Sequence, residues 1–197
     1  MKAWALVTIS GFLNIPAVWA TQDAQHMSSW RLEPESFIGL NLNGDFLKEI
    51  PECTPKDLRK PAESLCRELT ELNNTYSLQG EIPLGGKKSN TTVQLNNGKI
   101  QRLIISGNAK NIHNLSETLT TIYGDPTTWE LRRLESKSGY SFASEVLTWR
   151  GHNISMKLQR NNDNINTYSI IVINKNNTPD SVTESNDTMP GEKTPTL

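Results

Sequence analysis

Two cysteines, Cys53 and Cys66, are the residues of this 197-residue chain best suited by type and spacing to chemistry. In an exported chain an even pair reads first as a disulfide. Closing so short a loop is worth about 3 kcal/mol by the chain-entropy estimate. A metal pair fits less well, because the spacing is not that of C-x-x-C and no histidine lies between the two. A pair of free thiols is the third reading.

The other reactive side chains do not assemble into a catalytic pattern. His26 falls in a polar leader, His113 on the polar side of an expected helix and His152 at an expected hairpin tip. A catalytic base needs a nucleophile and an orienting acid beside it, and nothing in the spacing supplies them. Gly85-Gly86-Lys87-Lys88 lacks the Walker pattern and reads as a solvated loop. Asn161-Asn162-Asp163-Asn164 has the composition of a calcium loop but neither its glycine nor its closing glutamate. Glu63, Glu68 and Glu71 read as the wet face of a helix. Sequons at Asn73, Asn90, Asn114, Asn153, Asn176 and Asn186 are what an asparagine-rich chain yields by chance, and they are expected to be unmodified. The expectation is a protein without catalytic, cofactor-binding or metal-binding residues.

The elements that position these residues begin after an export signal. Lys2 is followed by a mostly apolar run from Ala3 to Ile15, then Pro16 and Val18-Trp19-Ala20, which places a peptidase cut after Ala20. The run is shorter than the roughly 20 residues of a spanning helix, no cysteine sits at the cut to take a lipid, and no later segment is apolar enough to cross a bilayer. The mature protein is expected to be periplasmic or secreted. Full-chain charges nearly balance, with 20 basic and 21 acidic residues. A basic face for nucleic acid is therefore not expected, nor a polybasic membrane binder.

Residues 21–34 read as a linker containing Trp30, and Phe37 to Leu42 as a first strand. Thr54-Pro55 and Pro61 suggest helical starts, with Leu65, Leu69 and Leu72 forming an amphipathic stripe beside Cys66. Asn97-Gly98 between apolar runs predicts a type I′ hairpin. If Leu95 faces Ile100, Arg102 falls on the face of Val93, a conflict in the pattern. Ile112, Leu115, Leu119 and Ile122, capped by Asn111 and stopped by Gly124 and Pro126, predict the longest helix. A second hairpin turning at Gly151-His152 sets Trp149 against Ile154 and Leu147 against Met156, with Leu147, Trp149, Ile154, Met156 and Leu158 on one face. Tyr168 to Ile173 is expected to be a last strand, central or well covered. Residues 175–197 are too polar to repay ordering and read as a disordered tail.

Phe37-Ile38-Gly39-Leu40 and Tyr123-Gly124-Asp125-Pro126 resemble pieces of small exported bacterial modules of the β-lactamase-inhibitor-protein-like and outer-membrane-assembly lipoprotein kinds. The cysteine pair and the absent lipobox depart from the lipoprotein members. The resemblance implies a two-layer α/β module that binds proteins without catalysis. Ser138-Gly139-Tyr140 is similar to the short Ser/Gly/Tyr loop that some exported lysozyme inhibitors present to the enzyme's cleft; as an ordinary turn it needs no such role.

The expectation for the whole is an α+β fold in two layers, a mainly antiparallel sheet with helices packed on one face. The signal spans 1–20, the linker 21–34, a single domain 35–174 and the tail 175–197. The protein is expected to bind another protein of the envelope or exterior, without nucleic acid, cofactor or stable membrane insertion. Inhibition of an envelope-directed hydrolase such as lysozyme is the alternative, with Ser138, Gly139 and Tyr140 the candidate contact loop. An enzyme with an unrecognised site is a further one.

Overall fold

The structure, a computed structural model, describes residues 29–54, 64–80, 82–84, 89–135 and 139–178. The export signal, Pro55, Pro61, Glu63, the Gly85–Lys88 loop, Ser138 and the tail beyond Thr178 lie outside the described residues. No helix among the described residues is long and apolar enough to cross a membrane.

Eight strands form one antiparallel sheet: β3 (Cys66–Leu69), β4 (Thr75–Gln79), β5 (Asn90–Asn96), β6 (Lys99–Asn108), β7 (Thr128–Glu135), β8 (Ser141–Arg150), β9 (Ile154–Arg160) and β10 (Thr167–Asn174). Their order is β3-β4-β5-β6-β10-β9-β8-β7. Two four-stranded meanders are thus joined through their last strands, β6 and β10, and the chain passes between them through helix α2 (Ile112–Tyr123). Among the described residues the sheet's outer edges are β3 and β7.

Side-chain alternation sends one face of this sheet into the core. Val93, Leu103, Val172, Met156 and Trp149 form one row across paired strands, and Ile105, Ile170, Leu158 and Leu147 the next. The second layer is a single long helix together with the N-terminal segment, rather than the expected set of helices. Leu115, Leu119 and Tyr123 of α2 join Trp30, Phe37, Leu40, Leu42 and Phe46 over the sheet. That segment holds a tight hairpin, β1 (Ser36–Phe37) and β2 (Leu40–Asn41), and the four-residue helix α1 (Phe46–Glu49). Phe37 to Leu42 is therefore not one strand: the chain reverses at Ile38 and Gly39, both at positive φ.

Trp30, expected in a linker, is a core residue. Its indole N–H donates to the Tyr123 carbonyl at 2.7 Å, and Trp149 donates to the next carbonyl, Gly124, at 2.7 Å. A helix leaves its last carbonyls unpaired, and two indoles satisfy these two at the end of α2. Gly124 takes the positive φ of 80° expected of a helix stop. Tyr123, rather than Ile122, completes the buried stripe, and Ile122 is exposed. Asn111 makes no side-chain cap; Asn108 caps the preceding 3-10 turn instead, accepting from Lys110 N.

The helix expected around Leu65, Leu69 and Leu72 is absent. Cys66–Leu69 is an edge strand, and Leu69 and Leu72 are exposed. Residues 51–53 run beside it: Cys53 N–H donates to the Arg67 carbonyl and Arg67 N–H to the Pro51 carbonyl. The Cys53–Cys66 disulfide links the two segments, with Cα atoms 4.9 Å apart. Chain reversal at Asn73-Asn74, with Asn74 at positive φ, makes the expected helix end a turn into β4.

The Asn97-Gly98 hairpin pairs Leu95 with Ile100, as expected. A register shift between Gln94 and Leu95 then sets Val93 against Leu103 and Gln94 against Arg102. One extra residue on β6 thereby moves Arg102 off the core face, which resolves the conflict in the pattern. The β8–β9 hairpin keeps the expected inward face but not the expected register: Trp149 pairs with Met156 and Leu147 with Leu158. The cause lies in distant chain. The Glu33 carboxylate accepts the N–H groups of His152 (2.8 Å), Asn153 (2.6 Å) and Ile154 (2.5 Å), which holds the turn open. Any side chain at Gly151 would collide with that carboxylate. Replacing Glu33 by alanine leaves these donors without their charged acceptor and is expected to cost about 2 kcal/mol, measured by urea unfolding. Glu33→Gln, which keeps one acceptor oxygen, should lose less; a loss equal to that of alanine would mean that a neutral oxygen gives the turn nothing and that the charge holds it.

The strand β10 is central, as expected, and pairs on both sides. The first residues of the expected tail are structured. Lys175–Asn177 forms a 3-10 turn in which Asn177 donates to the Ile100 carbonyl and accepts from Asn96.

Candidate functional site

The N-terminal turn of α2 stands off the β7 end of the sheet and leaves a groove of ≈ 260 Å³ between them. Ile112, Leu131, Leu147 and Leu158 give it apolar walls. His113 and Ser116 from the helix, Glu145 from β8 and Arg160 from β9 supply the polar lining. Strand alternation explains the set. Trp129 pairs with Leu147 and Leu131 with Glu145, so Trp129 and Leu131 face the helix side of the sheet. α2 does not reach far enough to cover them: Trp129 is 55% and Leu131 59% exposed.

Hydrogen bonding in the groove commits Ser116, His113 and Arg160 to structure. The Ser116 hydroxyl donates to the His113 carbonyl at 2.7 Å, and the His113 ring faces Glu117 at 3.2 Å. The serine is thus turned toward main chain and away from the imidazole. Arg160 donates to the Ile165 carbonyl at 2.9 Å, which fixes its guanidinium at the groove's end. The polar groups can orient a ligand, but none is paired as nucleophile and base.

His152 lies at the β8–β9 turn, on the side of the sheet where Trp149 meets the end of α2. His113 is at the opposite end of that helix, so the structure does not bring the two together, and His26 is outside the described residues. Glu68 sits on β3 and accepts from Gln79, and Glu71 is in the following turn, so they do not share a helix face. Asn161 and Asn164 close the β9–β10 loop through Thr167 and Asn166. No group of three or more potential metal ligands occurs among the described residues. Burial pushes the phenols of Tyr123 and Tyr168 up from their ordinary pKa, and both belong to the core.

Of the candidate contact loop, Gly139 (φ 83°) and Tyr140 are described, between β7 and β8, and Tyr140 is 76% exposed. The groove itself went unread in the sequence. The missing signal was the position across the sheet of α2, whose N-terminal turn stands off β7 and leaves Leu131 uncovered.

The chain matches no protein-family model, no curated protein and no solved structure.

Proposed function

We propose that the protein is an exported, disulfide-stapled, non-enzymatic module that binds a polypeptide in the groove between α2 and β7–β8. What carries this reading is exposed Leu131 in the groove, with exposed Trp129 two residues along the same face of β7, beside a polar lining whose serine and histidine are committed to main chain and to Glu117. Large aromatic and aliphatic anchors beside oriented polar groups are the ingredients of polypeptide recognition. Glu145 and Arg160 offer both charge signs to an extended segment with aliphatic side chains. The Cys53–Cys66 bond fits a compartment where thiols stay paired, in keeping with the export signal read in the sequence.

The test is a photo-reactive residue at His113, on the groove's rim, and a second at Glu68 on the far edge, each in the full chain expressed in its own cells. A light-dependent adduct to one polypeptide from position 113 and none from position 68, reproduced with the purified pair, is the expected result. Adducts from neither position, with the protein folded and its disulfide formed, remove the reading.

A second reading rests on Tyr140, exposed beside the left-handed Gly139 in the loop that ends β7. Inhibition of a hydrolase such as lysozyme by this loop predicts a loss of lytic activity that Tyr140→Ala relieves. Full lysozyme activity in excess protein disposes of it.

A further inference from the structure

The strand beside the groove has an edge of its own, and its sequence is complementary to itself. β7 is eight residues long and pairs with β8 in one unbroken register. Which of its main-chain groups face outward follows from its neighbours. Gly151 N–H donates to the Ile154 carbonyl, which turns odd-numbered residues of β8 toward β9. The Thr127 hydroxyl bonds the Thr148 carbonyl and the Arg150 N–H, so even-numbered residues turn toward β7. Antiparallel ladders alternate in this way. Thr128, Glu130, Arg132 and Leu134, which oppose even-numbered residues of β8, therefore spend their main-chain groups within the sheet. Trp129, Leu131, Arg133 and Glu135 present theirs at the edge.

Natural sheets defend such edges with proline, bulges, short strands or charge, lysine above all. β7 has no proline, no lysine and no register shift; its charges are two glutamates and two arginines. We propose that a second copy of this chain pairs with it, antiparallel, about a two-fold axis through Leu131. In that register Leu131 opposes Leu131 of the second copy, Trp129 opposes Arg133 of the second copy, and Glu130 opposes Arg132 of the second copy. The leucine pair lies on the axis and occurs once; the other two relations each occur twice. The outward N–H and C=O groups of residues 129, 131 and 133 then meet across the seam. On the helix side the guanidinium of Arg133 lies against the Trp129 indole, a cation–π arrangement. On the other side Glu130 and Arg132 form opposite-charge cross-strand pairs.

The alternatives are poorer on the same physical grounds. A two-fold axis perpendicular to the sheet sets its central residue against itself. Centring on Glu130 confronts two glutamates, and centring on Arg132 or Arg133 confronts two arginines, which is destabilising. Centring on Trp129 or Leu134 leaves only a short overlap of β7 with its copy. The Leu131 register alone combines full overlap with opposite charges.

The same axis keeps both α2 helices on one side of the joined sheet. The two grooves then lie either side of the seam and open into one trough floored by both Leu131 side chains. This inference goes beyond the groove's proposed role and does not depend on it.

Sedimentation equilibrium of the full, disulfide-intact protein over a concentration series tests it. The expected mass at high concentration is twice the 22.1 kDa of the full sequence, less any processed signal. Glu130→Arg and Arg132→Glu should each weaken self-association roughly tenfold, since each replaces attraction by repulsion at two symmetric pairs. The double variant, which restores opposite charges, should recover it. Leu131→Pro removes only an outward N–H, which an edge strand tolerates, and should leave a monomer with an unchanged circular dichroism spectrum. A monomer at every concentration overturns the proposal. So does a dimer indifferent to either reversal, or one that the double variant fails to restore. Adduct formation at His113 reads the groove's own role separately.

Discussion

Replacing Trp30 by alanine is expected to destabilise the protein by about 3–5 kcal/mol, the range for removing a large buried aromatic. Trp30 is 5% exposed and lies where a polar linker was expected. Its main-chain N–H donates to the Arg150 carbonyl at 3.1 Å, its indole to the Tyr123 carbonyl, and its ring meets Tyr123 edge to face at 6.2 Å. Tyr123 in turn stacks on Phe37 at 5.2 Å. Loss of the indole therefore opens a void between the end of α2 and the N-terminal segment and leaves a helix carbonyl unpaired. Trp30→Phe fills most of the void without restoring the donor. It should recover most of the loss, and the remaining deficit, about 1 kcal/mol, measures the hydrogen bond. Urea unfolding of both variants checks this. A Trp30→Ala loss below about 1 kcal/mol would mean that the Trp30 side chain is dispensable and that the core begins at Phe37.

Trp30 also shows where sequence reasoning stops. One aromatic residue among Thr, Gln, Ser and Arg has no periodicity, so neither a strand nor a helix template detects it. Its partners, Tyr123 and Arg150, are remote in the chain. The same limit explains the β8–β9 hairpin. Its inward face was legible because Leu147, Trp149, Met156 and Leu158 alternate, and a register error of two preserves faces. The register itself was not legible, because Glu33 sets it from 119 positions upstream of His152. Where the determinant is local, the reading succeeds. Asn97-Gly98 supplies its own positive φ angles, and Gly124 and Pro126 stop α2 by their own chemistry. Leu65, Leu69 and Leu72 mislead because apolar spacing is not burial; two of the three are exposed, and pairing with residues 51–53 decides the conformation. The groove depends on how far a helix reaches over a sheet, a property of the assembled layers that neither element carries alone.

Reduction of the Cys53–Cys66 bond is expected to cost about 3 kcal/mol, because the loop it closes spans 13 residues and reopening it returns conformational freedom to the unfolded chain. The folded-state consequence should be local. The bond ties residues 51–53 to β3, and two main-chain hydrogen bonds, Cys53 to Arg67 and Arg67 to Pro51, join the same segments. β3 has only β4 on its other side, and its Leu69 is 67% exposed, so little apolar burial holds it in place. The amides of Cys53 and Arg67 should therefore lose most of their hydrogen-exchange protection in the Cys53→Ala/Cys66→Ala variant. Amides of the central strands β6 and β10 should instead follow global stability. Stability in urea with and without reductant gives the first number, and residue-resolved exchange the second. Uniform loss of protection across the sheet would show that the β3 edge is cooperative with the core. Equal stability of oxidised and reduced protein would remove the staple's role altogether. The expected difference decides where the protein can persist: a chain that gains this much from a disulfide loses it wherever thiols are kept reduced.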